Sequence, residues 1–101
     1  MEEQNLYPII DDHILTLSDH LRAWRASTHL SRQEVADQLR VRPDIIRAFE
    51  QGDYAFFSAR VYALGYLKRL TDHFSISQAE ILGNLLKAEW KETRGEKTGS
   101  L

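Results

Sequence analysis

Between residues 18 and 86 the apolar positions recur at three- and four-residue intervals in five short runs, each bounded by residues that start or stop helices. Ser18 stands where it can cap a first helix carrying Leu21, Trp24 and Arg25 to about Thr28. Ser31-Arg-Gln-Glu34 has the form of a capping box, in which the serine oxygen accepts a first-turn N–H and the glutamate accepts the serine N–H. It opens a second helix through Val35, Ala36 and Leu39. Pro43 suits the first turn of a third helix, where its missing N–H would have no partner anyway. That helix runs through Ile45, Ile46 and Phe49, and Gly52 supplies a left-handed stop. Ser58 opens a fourth helix to about His73, with Ala63, Leu67, Leu70 and Phe74 as its core stripe. Ser77-Gln-Ala-Glu80 is a second capping box, opening a fifth helix with Ile81, Leu82, Leu85 and Leu86. The pattern predicts an all-α, five-helix bundle without strands. Ala36 is small where helices two and three cross, Val41 buries the turn, and Ile46 and Phe49 face the core one turn apart.

The ends follow different rules. Residues 1–17 hold Leu6, Tyr7, Ile9, Ile10, Ile14 and Leu15 without a long period, broken by Pro8 and by Asp11-Asp12. They are read as an N-terminal extension that partly docks on the domain, with a frayed terminus as the equal alternative. Residues 87–101 are charged and finish in Gly and Ser, as a helix end running out into a linker or tail. The 18–86 span is then one small domain, which is what 101 residues leave room for.

Composition narrows the function more than the fold. An apolar fraction of 43% with 28% charged residues is that of an ordinary soluble globular chain. Without cysteine there is no disulfide scaffold, thiolate metal site or cysteine nucleophile. The acidic start and the absence of a long apolar run point to a soluble chain that is intracellular or faces the cytoplasm. His13, His20, His29 and His73 lack metal-type spacing, no glycine-rich phosphate loop appears, and no serine stands in a nucleophile elbow. An enzyme is not expected, nor a cofactor or metal. The net charge of −2 works against a broad nucleic-acid footprint, although the stretch from Arg22 to Arg47 is mildly basic.

Three segments carry a resemblance: Leu17-Ser-Asp-His-Leu-Arg-Ala-Trp-Arg, Leu30-Ser-Arg-Gln-Glu-Val-Ala, and Val41-Arg-Pro-Asp-Ile-Ile-Arg-Ala-Phe-Glu-Gln-Gly. Together they resemble the lambda-repressor-like (XRE) helix-turn-helix class. The continuation Gly52-Asp-Tyr-Ala-Phe-Phe-Ser-Ala-Arg-Val-Tyr-Ala-Leu-Gly-Tyr-Leu is similar to the cytoplasmic domain of the RodZ family of bacterial cell-shape proteins. The likeness covers about residues 17–86. It departs at Ser58-Ala59, where that family often has proline. The family also carries a later membrane span and a periplasmic part, so the resemblance implies a cytoplasmic domain, including the cytoplasmic part of an inner-membrane protein. The resemblance implies a five-helix fold and contact of the fourth helix with the actin-like filament protein MreB.

Two surfaces follow as candidates. In DNA-binding relatives the start of the third helix enters the major groove. Here that places Arg42, Asp44, Ile45 and Arg47 at the bases, with Arg32 from the second helix. Asp44 would repel a polyanion except opposite a cytosine amino group, and Ile45 offers at most a thymine methyl contact. On the fourth helix Tyr62, Tyr66, Arg69 and His73 form a stripe beside the core stripe, in residue types that suit interface centres. Tyr66 alternatively widens the core. Gly65 lies in the same helix and is read as admitting a neighbouring helix. The favoured reading is a monomeric protein-binding adaptor with an MreB-type filament as partner. The alternative is a DNA-binding transcriptional regulator of the XRE class.

Overall fold

The computed structural model describes residues 16–99, with side chains from 16 to 90. The N-terminal extension, apart from its last two residues, lies outside them. Five α-helices appear, and no strand among the described residues: α1 (Leu17–Thr28), α2 (Arg32–Leu39), α3 (Pro43–Gln51), α4 (Arg60–His73) and α5 (Ala79–Gly99), with one 3-10 turn at Tyr54–Phe56. The all-α reading of the pattern holds. The chain divides between Gly52 and Asp53 into two compact units, so the division falls inside the 18–86 span read as one domain.

In the first unit α3 packs against both α1 and α2. Leu17, Leu21 and Trp24 of α1, Val35, Ala36 and Leu39 of α2, and Ile46, Ala48 and Phe49 of α3 are buried. The Ser31–Glu34 box forms reciprocally, with bonds of 3.0 and 2.8 Å. The first helix starts earlier than Ser18 suggests. Thr16 is the cap, with extended backbone, and Asp19 completes a second capping box. The Thr16 N–H bond to its carboxylate, with Arg22 also close, holds Asp19 below the ordinary aspartate pKa. Ser18 is buried instead, and its hydroxyl donates to the Phe49 carbonyl at 2.8 Å, near the end of α3. Gly52 ends α3 at φ 66°, and a Cβ there would stand 3.3 Å from Ser18 Oγ. Both conformation and space call for glycine at that position. The α2–α3 turn closes through Arg40 at φ 59° and a Val41 N–H bond to the Ala36 carbonyl at 3.0 Å.

In the second unit α4 packs against α5, and α5 against the 3-10 turn. Ala63, Leu67, Leu70, Ile76, Leu82 and Leu86 are buried. Phe74, expected in this core, is only half-buried. It sits at the α4 C-cap, past the last helical turn, edge-on to His73, while Ile76 takes a buried place in the connection. Ser58 does not open α4. Ala59 occupies the cap with no side-chain bond, at φ −153°, an angle a proline ring could not adopt. Trp90 is buried with its ring 5.7 Å from Tyr54 and 6.4 Å from Phe57. That anchor gives α5 a packing reason to continue past residue 87, where the sequence reads a helix end and linker. Burial, reinforced by its hydrogen bond to Glu89, pushes the Tyr54 hydroxyl pKa far above its ordinary value.

Candidate interaction surfaces

The first candidate surface is the start of α3. Its N-cap is Arg42, whose side chain is 72% exposed, and Pro43 follows at N1. Asp44 stands 3.7 Å from the Arg42 guanidinium and 3.8 Å from that of Arg47. Arg47 also donates to the Gln51 side chain at 3.1 Å. One carboxylate therefore sits between the two cations that would have to meet phosphates. Ile45 is buried, 7% exposed, and corrects the expectation of a base contact: it packs inward and offers no methyl to a groove.

Arg32 is engaged in part within the chain. Its Nε donates to Glu50 Oε1 at 2.9 Å. Arg25 forks onto the same carboxylate, Nε to Oε2 at 2.7 Å and Nη2 to Oε1 at 3.0 Å, and also donates to the Leu30 carbonyl. Arg22 donates to the Glu50 main-chain carbonyl. Glu50 itself is 2% exposed. A buried carboxylate must be paired and hydrogen-bonded, and Arg25 and Arg32 meet that need from α1 and α2. The bond to Glu50 holds the Arg25 guanidinium above its ordinary pKa. The mild basic bias of this stretch is thus partly internal. The sequence reading gives Glu50 no part in the core. The missed signal was its position one turn after Ile46 and next to Phe49, on the core side of α3.

The second candidate surface is α4. Tyr62 is 59% exposed. Tyr66 is half-buried, its ring 6.2 Å from Phe57, so it belongs in part to the core, in line with the alternative reading of that residue. Arg69 and His73 are exposed. At 100° per residue these four fall on one flank, away from Ala63, Leu67 and Leu70. Val61, more exposed than Tyr62 at 67%, was not singled out from the sequence, although it too falls outside the core stripe. On the opposite flank of α4 an open groove of about 470 Å³ runs against α5, floored by Leu64, Leu67, Ala79 and Gly83. Lys68 and Asp72 on its rim pair at 2.9 Å. Among the described residues no cluster of His, Asp and Glu could hold a metal ion, and no helix is long and apolar enough to cross a membrane.

A family model described as a helix-turn-helix domain matches residues 20–81, from within α1 to the start of α5. No curated protein and no solved structure matches the chain.

Proposed function

The chain belongs to the helix-turn-helix domain family, and on that premise we propose that it is a cytoplasmic protein-binding adaptor, similar to the RodZ domain, whose α4 contacts an MreB-type filament. The observation that carries this reading is the exposure of a large ring, Tyr62, on the flank of α4 that also presents Arg69. An aromatic with most of its surface in water is available to a partner, and a few such anchors dominate most interfaces. Arg69 adds a planar fork suited to a partner carboxylate, a geometry that lysine cannot reproduce.

The start of α3 supports the DNA-binding alternative less well. Of the residues assigned to it, Ile45 is buried, Arg32 serves Glu50, and Asp44 lies between Arg42 and Arg47. Non-specific DNA affinity grows with the number of phosphates neutralised, and two cations sharing a carboxylate neutralise few.

Co-sedimentation with MreB filaments tests the proposal. Tyr62→Ala and Arg69→Ala should each weaken binding by about 1–3 kcal/mol while circular dichroism reports a folded chain. A folded double variant that pellets as well as the parent places the binding face elsewhere. A nanomolar, sequence-selective duplex complex lost on Arg42→Ala or Arg47→Ala establishes the DNA-binding alternative in its place.

A further inference from the structure

Gly65 lies in the interior of α4, where glycine destabilises a helix relative to alanine. Two structural needs ordinarily justify such a residue: a left-handed backbone, or close approach of another group. Gly65 has no positive φ. Among the described residues, a Cβ added to it would meet nothing within 4 Å. Against the expectation that Gly65 admits a neighbouring helix, no helix among the described residues takes that space. Nothing in the described chain uses the missing side chain.

The surroundings show what could. Tyr62, Gly65, Tyr66 and Arg69 stand at i, i+3, i+4 and i+7, the four positions that frame a hole for an incoming side chain when helices pack knobs into holes. One rim of this hole is an aromatic 59% exposed, with Val61, 67% exposed, on the far side of the glycine. The floor is bare backbone. Of the charged side chains of α4, Arg69 borders this hole, whereas Lys68 and Asp72 pair with each other along the opposite groove; the guanidinium at the rim complements a carboxylate.

We infer that Gly65 is the closest-approach point of the partner: a protein surface carrying a carboxylate opposite Arg69 seats one apolar side chain over the glycine, between Tyr62 and Arg69. The inference rests on the filament-binding reading and names the chemistry the filament subunit must present there. A lipid headgroup layer is fluid and gains nothing from a missing Cβ. A phosphate backbone gains nothing from exposed Val61 and Tyr62.

The test uses the full chain, the same filaments, and glycine substitutions whose effects on stability and binding oppose each other. Gly65→Ala should raise the thermal midpoint by about 4–8 °C, since the added methyl lies in open space and the helix gains propensity. The same variant should bind filaments about tenfold more weakly, because the methyl fills the floor of the hole. Gly83→Ala is the control. Its Cβ also meets nothing within 4 Å among the described residues, but it lies on α5 along the opposite groove. It should raise the midpoint and leave binding unchanged. If Gly65→Ala pellets like the parent while Tyr62→Ala does not, the filament reading stands and the close-approach point is overturned. Equal loss in Gly83→Ala moves the contact to the groove and also overturns it. A lowered midpoint in Gly65→Ala means that the methyl is not in open space, which removes the hole and overturns the inference too. Sedimentation velocity showing a dimer that Gly65→Ala dissolves makes the occupant a second copy of this chain and overturns the filament partner. A parent chain that does not pellet with filaments overturns both readings together.

Discussion

Phe49→Ala is expected to lose about 3–5 kcal/mol of stability, because it removes a large ring from the centre of the first unit without letting the neighbours close in. Phe49 is 1% exposed, on the helix that packs against both α1 and α2. Its carbonyl also accepts the Ser18 hydroxyl, so a shift of the backbone at this point disturbs the α1–α3 tie. Small domains hold only about 5–15 kcal/mol in total, and the loss would consume a large share of it. Urea denaturation followed by circular dichroism gives the number. A midpoint within a few degrees of the parent on heating would mean that Phe49 is not core.

Glu50→Ala should cost about 3 kcal/mol, near the lower end for breaking a buried ion pair. The carboxylate is 2% exposed, but Arg25 and Arg32 keep 24% and 38% of their side-chain surface in water. Once Glu50 is gone the arginines can turn outward, which limits the penalty of leaving them unpaired. What is lost is the tie from α3 to α1 and α2 and the packing of the carboxylate stem. Glu50→Gln keeps the shape and one acceptor oxygen, so it should lose less than Glu50→Ala. The stability difference between parent and Glu50→Ala should persist in high salt, since a buried pair is screened little. A difference that vanishes in about 1 M salt, where the screening length falls to about 3 Å, would make this an ordinary surface ion pair.

The features most legible in the sequence were those with local causes. Ser31 with Glu34, Pro43 at the first turn of α3 and Gly52 at its end act within a few residues, and each lies where the pattern put it. Local signals also misled where two candidates competed. Thr16 caps α1 in place of Ser18 because Asp19 stands three residues after Thr16 and completes the reciprocal bond. Ser58 loses to an uncapped start at Arg60. The larger misses depend on long-range partners. The burial of Glu50 does not follow from the local pattern, because it depends on Arg25 and Arg32, 25 and 18 residues away in sequence. Ile45 was assigned to a groove by its place in the motif, whereas burial claims it for the core. For the α4 stripe the sequence supplied the register, and Tyr62 and Arg69 do face outward. Tyr66 divides its ring between that face and Phe57, a balance that periodicity alone does not resolve.

That recognition lies on α4 and not at the start of α3 has a direct test in residue-resolved NMR of the labelled chain, titrated in parallel with unlabelled filaments and with duplex DNA at physiological salt. Filaments should broaden the amides of residues 62, 65, 66 and 69 first, and leave 42–47 sharp at the same ratio. Duplex should cause only small, salt-sensitive shifts. Saturating, sequence-dependent shifts at Arg42, Asp44 and Arg47 with duplex, and no filament effect on α4, would contradict it.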